Sequence, residues 1–299
     1  MKKKNKNQDF EGFAKGHNAC AGCGAAIAMR HLMKIAGANT IVAIATGCME
    51  VVSTVYPLSS WEVPCIHSAF ENVAATASGI ELALKKQGKR KINVIAIAGD
   101  GGTFDIGLQA LSGMLERGHR ILYVCYDNEA YMNTGIQRSS ATPLHAETTT
   151  SPYGKIHGKI EPKKNMPLIV ASHGKNIYVA TASVGYLEDF KRKVKKALRH
   201  IHKKNGGPAY LQVLCPCVLG WKIPTNITIQ IARKAVNCRA YPLFEIENGK
   251  LTLQEFPEEK IEDYLKLQGR FSNLAKKEII KLKKFFESEY SKLRNFTNR

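Results

Sequence analysis

The stretch Ile92-Asn-Val-Ile-Ala-Ile-Ala98, followed at once by Gly99-Asp100-Gly101-Gly102, decides how this chain is read. A short, nearly continuous apolar run of this kind fills a parallel strand buried on both faces. A second run, Ile121-Leu-Tyr-Val-Cys-Tyr-Asp127, ends just before Asn128. Between them Ile106, Leu108, Leu111, Met114 and Leu115 recur at helical spacing, predicting a helix from Asp105 to Arg117. Strand, helix and strand make one crossover unit, with Asp100 and Asn128 both at the carboxyl edge of one sheet. Open α/β sheets bind their ligands at that edge.

The residue types there suit a magnesium-bound diphosphate, and so argue for thiamine diphosphate. Mg²⁺ takes carboxylate, amide and backbone oxygens while keeping its bonds to phosphate. Gly99, Gly101 and Gly102 remove side chains where backbone must approach the diphosphate, and the following helix offers free N–H groups. A strand-to-turn Asp-Gly with an unrelated Asn is the plain alternative, and Asp-Gly-Gly alone does not exclude it.

Cys20-Ala-Gly-Cys23, Cys48 and Cys217 form a second constellation. The N-terminus is basic, but Asp9, Phe10 and Glu11 stand where the apolar part of a signal peptide would begin, so a cytoplasmic location is expected. Disulfides are not expected there, and a Cys-x-x-Cys with distant cysteines points to metal or redox chemistry. Zinc and a four-iron cluster both satisfy the spacing; the lack of a second close Cys-x-x-Cys departs from a zinc ribbon.

Together the two constellations resemble the beta subunits of 2-oxoacid:ferredoxin oxidoreductases, most of all the pyruvate-using members. The resemblance is carried by Gly16-His17-Asn18-Ala19-Cys20-Ala21-Gly22-Cys23-Gly24, Gly47-Cys48, Phe70-Glu71-Asn72 and Ala77-Ser78-Gly79-Ile80-Glu81. It continues through Gly99-Asp100-Gly101-Gly102, Asp127-Asn128-Glu129-Ala130-Tyr131-Met132-Asn133-Thr134-Gly135, Gln137 to Pro143, Thr148 to Pro152, and Cys217 to Trp221. Matches in this order and spacing cover roughly residues 10 to 225 and are hard to obtain by chance.

The resemblance implies a role for each position. Asp100 and Asn128 become Mg²⁺ ligands, with the carbonyl of Ala130. Asn133 becomes the residue beside the thiazolium and the 2-oxo acid, where a structural Asn would merely cap a turn. Cys20, Cys23, Cys48 and Cys217 become the ligands of one [4Fe-4S] cluster, with Cys217 preferred over Cys215 because Gly220-Trp221 follows it. Gly47 and Glu71 join the cofactor's surroundings, Glu71 in a secondary place. One departure stands out: Gly135-Ile136-Gln137 occurs where many relatives have Gly-Gly-Gln.

The implied activity is oxidative decarboxylation of pyruvate with coenzyme A to acetyl-CoA and CO₂, with electrons passed to ferredoxin. Removing electrons one at a time requires an acceptor close to the thiazolium, which makes sense of both constellations in one chain. Branched-chain, aryl or dicarboxylic 2-oxo acids are the nearest alternative substrates. The implied partners are an alpha subunit that supplies the pyrimidine-binding domain, and further subunits including a ferredoxin-like one. No ferredoxin-like repeat of cysteines occurs in this chain.

With 44 Lys plus Arg against 25 Asp plus Glu, the formal charge is +19, a balance that raises nucleic-acid binding. A basic zinc protein of that kind is the alternative from another class. The cations are instead spread over Lys2 to Lys6, Lys85 to Lys91, Lys191 to Lys204 and Lys276 to Lys284, without interleaved aromatics for base stacking. Solvated faces, or contact with acidic partner subunits or coenzyme A phosphates, account for them. No apolar stretch approaches the roughly 20 residues of a membrane span.

The expected fold class is α/β: a thiamine diphosphate-binding fold with a mostly parallel sheet flanked by helices. Residues 1–50 are expected to form an N-terminal cluster-binding region, 51–217 the cofactor domain and 218–299 a C-terminal extension. Local patterns predict helices over 25–36, 73–86 and 187–203, and strands over 40–45, 178–182 and 209–214, with Gly206-Gly207-Pro208 as the turn between the helix 187–203 and the strand 209–214. Asn248-Gly249 predicts a hairpin between 241–247 and 250–254. A short helix within 258–269 and a terminal helix over 273–293 follow.

Overall fold

A computed structural model describes residues 10–153 and 158–297; the basic stretch Lys2 to Lys6 lies outside the described residues. Eight strands form one sheet: β1 (Thr40–Ala45), β2 (Cys65–Ser68), β3 (Asn93–Gly99), β4 (Leu122–Asp127), β5 (Tyr178–Ser183), β6 (Ala209–Leu214), β7 (Phe244–Glu247) and β8 (Lys250–Leu253). Their order is β2-β1-β3-β4-β6-β5-β7-β8. The first six run parallel, and β7 and β8 add an antiparallel hairpin at one edge. From β1 the chain goes out to β2 and then returns to β3 on the other side. The reversal opens a crevice at the carboxyl ends of β1 and β3.

The apolar runs are continuous because both faces of the sheet are covered. On one face Val42, Ile44, Ile95, Ile97, Leu122 and Val124 pack with Met29 and Leu32 of α1 (Gly24–Ala36), and Phe190 and Val194 of α6 (Leu187–His202) extend that core. On the other, Ala43, Ala45, Ala96 and Ala98 meet Ala74 and Ala77 of α3 (Val73–Lys86) and Leu111 and Met114 of α4 (Leu108–Glu116). Small residues on this second face let the helices approach closely. A third core gathers Trp221, Tyr264, Phe271, Leu282 and Phe286 from residues beyond β6.

Four short elements had no strong sequence signal: α2 (Cys48–Ser53), edge strand β2, α5 (Met166–Ala171) and α7 (Thr228–Asn237). The helix expected over 105–117 is broken. A π-helical turn, Gly101–Asp105, comes first, and α4 starts only at Leu108. Thr103 causes part of this, since its hydroxyl donates to the Gly99 carbonyl at 2.7 Å while Ile106 N–H reaches back to Gly101. β7 begins at Phe244 rather than Tyr241, because Tyr241 turns inward and its hydroxyl donates to the Gln212 carbonyl. Asn248 and Gly249 both take positive φ (55° and 78°), as the expected hairpin turn requires. The short helix is α8 (Ile261–Leu265), and the terminal helix α9 runs Lys276–Thr297. Among the described residues no helix is long and apolar enough to cross a membrane.

Candidate functional site

Thr46, Gly47 and Cys48 after β1, Gly99, Asp100 and Gly101 at the end of β3, and Asn128, Ala130, Met132, Asn133 and Thr134 after β4 line one cleft. Phe70, Tyr126 and Tyr131 close its sides. The crossover thus brings Asp100 and Asn128 together at the sheet edge. Asn133 is exposed on the rim, and Gly102 sits behind the cleft against Phe70. Glu71 is not brought into the cleft; it is exposed and lines a separate groove with Asn72 and α4 residues, while its neighbour Phe70 lines the cleft.

Asp100 is almost fully buried, its Oδ2 accepting from Ser139 Oγ at 2.5 Å and its Oδ1 from the Asn128 backbone N–H at 3.2 Å. Burial, with Asp127 nearby, pushes this carboxyl well above the usual carboxylate range. The terminal amide of Asn128 lies 2.9 Å from both Asp100 Oδ1 and the Ala130 carbonyl. Turned nitrogen-first it donates to both; turned oxygen-first it completes three converging oxygens. Neighbouring oxygens on an octahedral Mg²⁺ with bonds of 2.0–2.1 Å stand about 2.9 Å apart. The three groups therefore fit a small hard cation.

Glu129 makes that convergence possible, and no local sequence signal marks it. It takes a left-handed conformation, φ 71°, between the two ligand positions, and its side chain points the other way into the core. Lys163 Nζ bonds Glu129 Oε1 at 2.9 Å and Asp127 Oδ2 at 2.6 Å, and Arg270 Nη2 bonds Glu129 Oε2 at 2.7 Å. Thr142 Oγ1 donates to the Glu129 carbonyl at 2.7 Å. Burial alone would raise the Glu129 carboxyl, but Lys163 and Arg270 hold it below its usual value. Asp127 goes the other way, burial pushing it up to about 6 despite Lys163. Two buried anions and two buried cations balance here. Asp100 is left over, and its raised carboxyl is neutralised either by a proton or by an added cation.

The cysteine side is assembled differently. Cys23 caps α1, Cys48 opens α2, and Cys217 sits in a turn whose Gly220 N–H donates to its sulfur at 3.4 Å. Gly22 (φ 75°) lies against the Thr225 carbonyl, and a Cβ on Gly24 would come 2.8 Å from the Cys215 carbonyl carbon. Glycine at both positions lets Cys20-x-x-Cys23 lie flat against the chain that carries Cys217. The Thr228 hydroxyl fastens it by donating to the Gly22 carbonyl at 2.6 Å.

Burial raises the thiols of Cys23, Cys48 and Cys217, and each feels the charges of others in the set; Cys20 is exposed. Among the described residues no three His, Cys, Asp or Glu side chains stand close enough to hold a single ion. A cluster asks for a wider spread, because each thiolate binds a different iron at the corner of a cube. Cys215 is fully buried in the core under α1, whereas Cys217 is partly open.

Residues 45–213 match the family described as thiamine pyrophosphate enzyme, C-terminal TPP binding domain. Over 289 residues the chain is 56% identical to pyruvate synthase subunit PorB of Methanocaldococcus jannaschii, covering 93% of this chain and 95% of the relative. The chain belongs to the 2-oxoacid:ferredoxin oxidoreductase family. A Thermotoga maritima pyruvate synthase subunit PorB is 46% identical (96% and 93% covered), and a Pyrococcus abyssi ketoisovalerate oxidoreductase subunit VorB is 48% identical (95% and 93% covered). A solved 2-oxoglutarate:ferredoxin oxidoreductase from Magnetococcus marinus shares the fold at TM-score 0.59 and 21% identity, over 94% of this chain and 97% of that one. Family membership makes the chain a thiamine diphosphate-dependent oxidoreductase component and displaces the zinc-containing nucleic-acid-binding alternative.

Proposed function

We propose that this chain is the thiamine diphosphate- and [4Fe-4S]-binding subunit of a multi-subunit complex that decarboxylates pyruvate oxidatively with coenzyme A and reduces ferredoxin. The observation that carries it is the meeting of both constellations on one cleft: Gly47 and Cys48, neighbours in sequence, line the same space as Asp100, Asn128 and Ala130. Asp100, Asn128 Oδ1 and the Ala130 carbonyl hold Mg²⁺ on the diphosphate. Cys20, Cys23, Cys48 and Cys217 would hold the cluster, with backbone N–H groups at the start of α1 and at Gly220 partly offsetting the burial that raises the Cys23 and Cys217 thiols.

Bound thiamine diphosphate supplies a carbanion for addition to the 2-oxo carbonyl and accepts the electrons released with CO₂. The chain's own residues position, enclose and conduct. Asn133 on the rim offers an amide to the 2-oxo acid. Phe70, Tyr126 and Tyr131 keep water from the cleft, and Cys48 places a one-electron acceptor beside it. The pyrimidine end and the later clusters fall to partner subunits, an alpha subunit and a ferredoxin-like one, and the basic surfaces provide docking charge for acidic partners or coenzyme A phosphates.

Pyruvate is favoured because a relative 56% identical is named for it, while the 48% match to a ketoisovalerate enzyme makes a branched-chain 2-oxo acid the second reading. Anaerobic purification of the native complex through this chain tests both. Viologen reduction that needs coenzyme A and prefers pyruvate, with about four iron and four sulfide attributable to this chain, is the expected result. Preference for another 2-oxo acid replaces the substrate. Zinc in place of iron overturns the cluster.

A further inference from the structure

We propose that Arg270, supplied by the C-terminal extension, is a positioning residue that locks the metal loop and the Cys217 turn into one fixed relation. The inference rests on the site assignments above and goes beyond them. Arg270 is 2% exposed and lies far along the chain from both sites. One edge of its guanidinium bonds Glu129 at 2.7 Å, and its Nε bonds Gln268 Oε1 at 2.8 Å. Its flat face lies 3.7 Å from the centre of the Trp221 ring.

Trp221 continues the link in both directions. Its Nε1 donates to the Asn128 carbonyl at 2.9 Å, and its backbone N–H donates to the Cys217 carbonyl at 2.9 Å. The metal loop, residues 128–130, and the turn at 217–221 are thus clasped on two sides by one arginine–tryptophan pair. Gly220, in the same turn, lies against Met132 of the cleft. A displacement of either site must be felt at the other, since interiors packed at this density shift as units.

Lys163 is an internal control. It too bonds Glu129, though partly exposed, but its other partners are Asp127 and the Tyr241 ring, and among the described residues it makes no hydrogen bond, ion pair or ring contact with Trp221 or the Cys217 turn. A mere counter-ion for Glu129 would behave like Lys163. A lysine at 270 would keep the charge but lose the plane that stacks on Trp221.

The test uses the intact complex purified anaerobically, with Arg270→Met, Arg270→Lys and Lys163→Met. Three readouts are followed: Mg²⁺-dependent retention of thiamine diphosphate, the EPR spectrum and midpoint potential of the cluster, and Trp221 emission, taken as the difference between each complex and its Trp221→Phe counterpart so that Trp61 and the partner subunits' tryptophans cancel. Arg270→Met is expected to weaken retention about tenfold to a hundredfold and to shift the cluster spectrum and Trp221 emission. Arg270→Lys should restore most of the retention yet leave both spectra shifted, and Lys163→Met should lower retention with unshifted spectra. If both Arg270 variants show wild-type cluster spectra and Trp221 emission, the lock is refuted and Arg270 is a counter-ion only. If Arg270→Met fails to assemble, Arg270→Lys decides by the same spectra. A wild-type complex without iron would instead refute the cluster assignment, and the response of Trp221 emission to Mg²⁺ with thiamine diphosphate then decides for Arg270.

Discussion

The metal loop and the cysteine side solve one problem by opposite means. At residues 127–131 a strained backbone, φ 71° at Glu129, is held from behind by buried charges, so the Asn128 amide lies 2.9 Å from both the Asp100 carboxyl and the Ala130 carbonyl. Around Cys20, Cys23 and Cys217 hardly any charge is used; two glycines remove the side chains that would keep the segments apart, and backbone N–H groups face the sulfurs. The difference teaches that a hard ion and a soft cluster ask for different scaffolds. A small cation with strict octahedral demands needs its ligands fixed within tenths of an ångström. A cluster brings its own rigid core and needs only four thiolates within reach.

The sharpest break between the two regions is Asp100→Ala. It should reduce Mg²⁺-dependent thiamine diphosphate retention by more than about a hundredfold, beyond the effect of changing a residue that only orients a ligand, while iron content stays normal. Cofactor assays after desalting check this, and normal retention would refute the ligand assignment. Cys217→Ser should then cost most of the cluster with the diphosphate site intact, whereas Cys215→Ser, in the core, should lower stability modestly and spare the iron. The reverse pattern in iron and sulfide analysis would move the ligand to Cys215.

Gly24→Ala probes the scaffold rather than the ligand. Its Cβ would press on the Cys215 backbone at 2.8 Å, so roughly 1–3 kcal/mol of strain and partial cluster loss are expected in thermal melts and iron assays, with thiamine diphosphate retained. Wild-type iron and melting temperature would show that α1 need not lie so close.

The smallest effect belongs to Ile136. It takes φ 65°, a left-handed conformation that strongly disfavours a β-branched residue. Ile136→Gly should stabilise the fold by about 0.5–1 kcal/mol, the left-handed penalty less the added chain entropy of glycine. Denaturant titration checks it, and a loss of stability would mean the Ile136 side chain is needed on the Gly220 side of the cleft.

Sequence patterns reached the elements whose cause is local. The apolar runs at 93–99 and 122–127 are legible because both faces are covered, and Asn248-Gly249 because its backbone demand is met within two residues. Asp100 and Asn128 were legible as strand-end oxygens. Glu129, which aims Asn128 and Ala130, was not. Its partners Lys163 and Arg270 come from 34 and 141 residues away, and no periodicity marks a buried ion pair. β2 escaped notice for a related reason: as a four-residue edge strand with two exposed positions it has no apolar run to display. The motif places Glu71 in the cofactor's surroundings; the turn before α3 sets it in a separate groove and gives Phe70 to the cleft.

Gly47 and Cys48 are joined by one peptide bond, the first lining the cleft beside Asp100 and the second opening α2. On the function proposed, the place where electrons are released and the place where they are first received share a backbone junction with no residue to spare. Such a chain cannot be divided at that point into two exchangeable modules, nor can a linker be inserted there. Other parts of the enzyme can be distributed over separate polypeptides, but this junction has to be inherited whole.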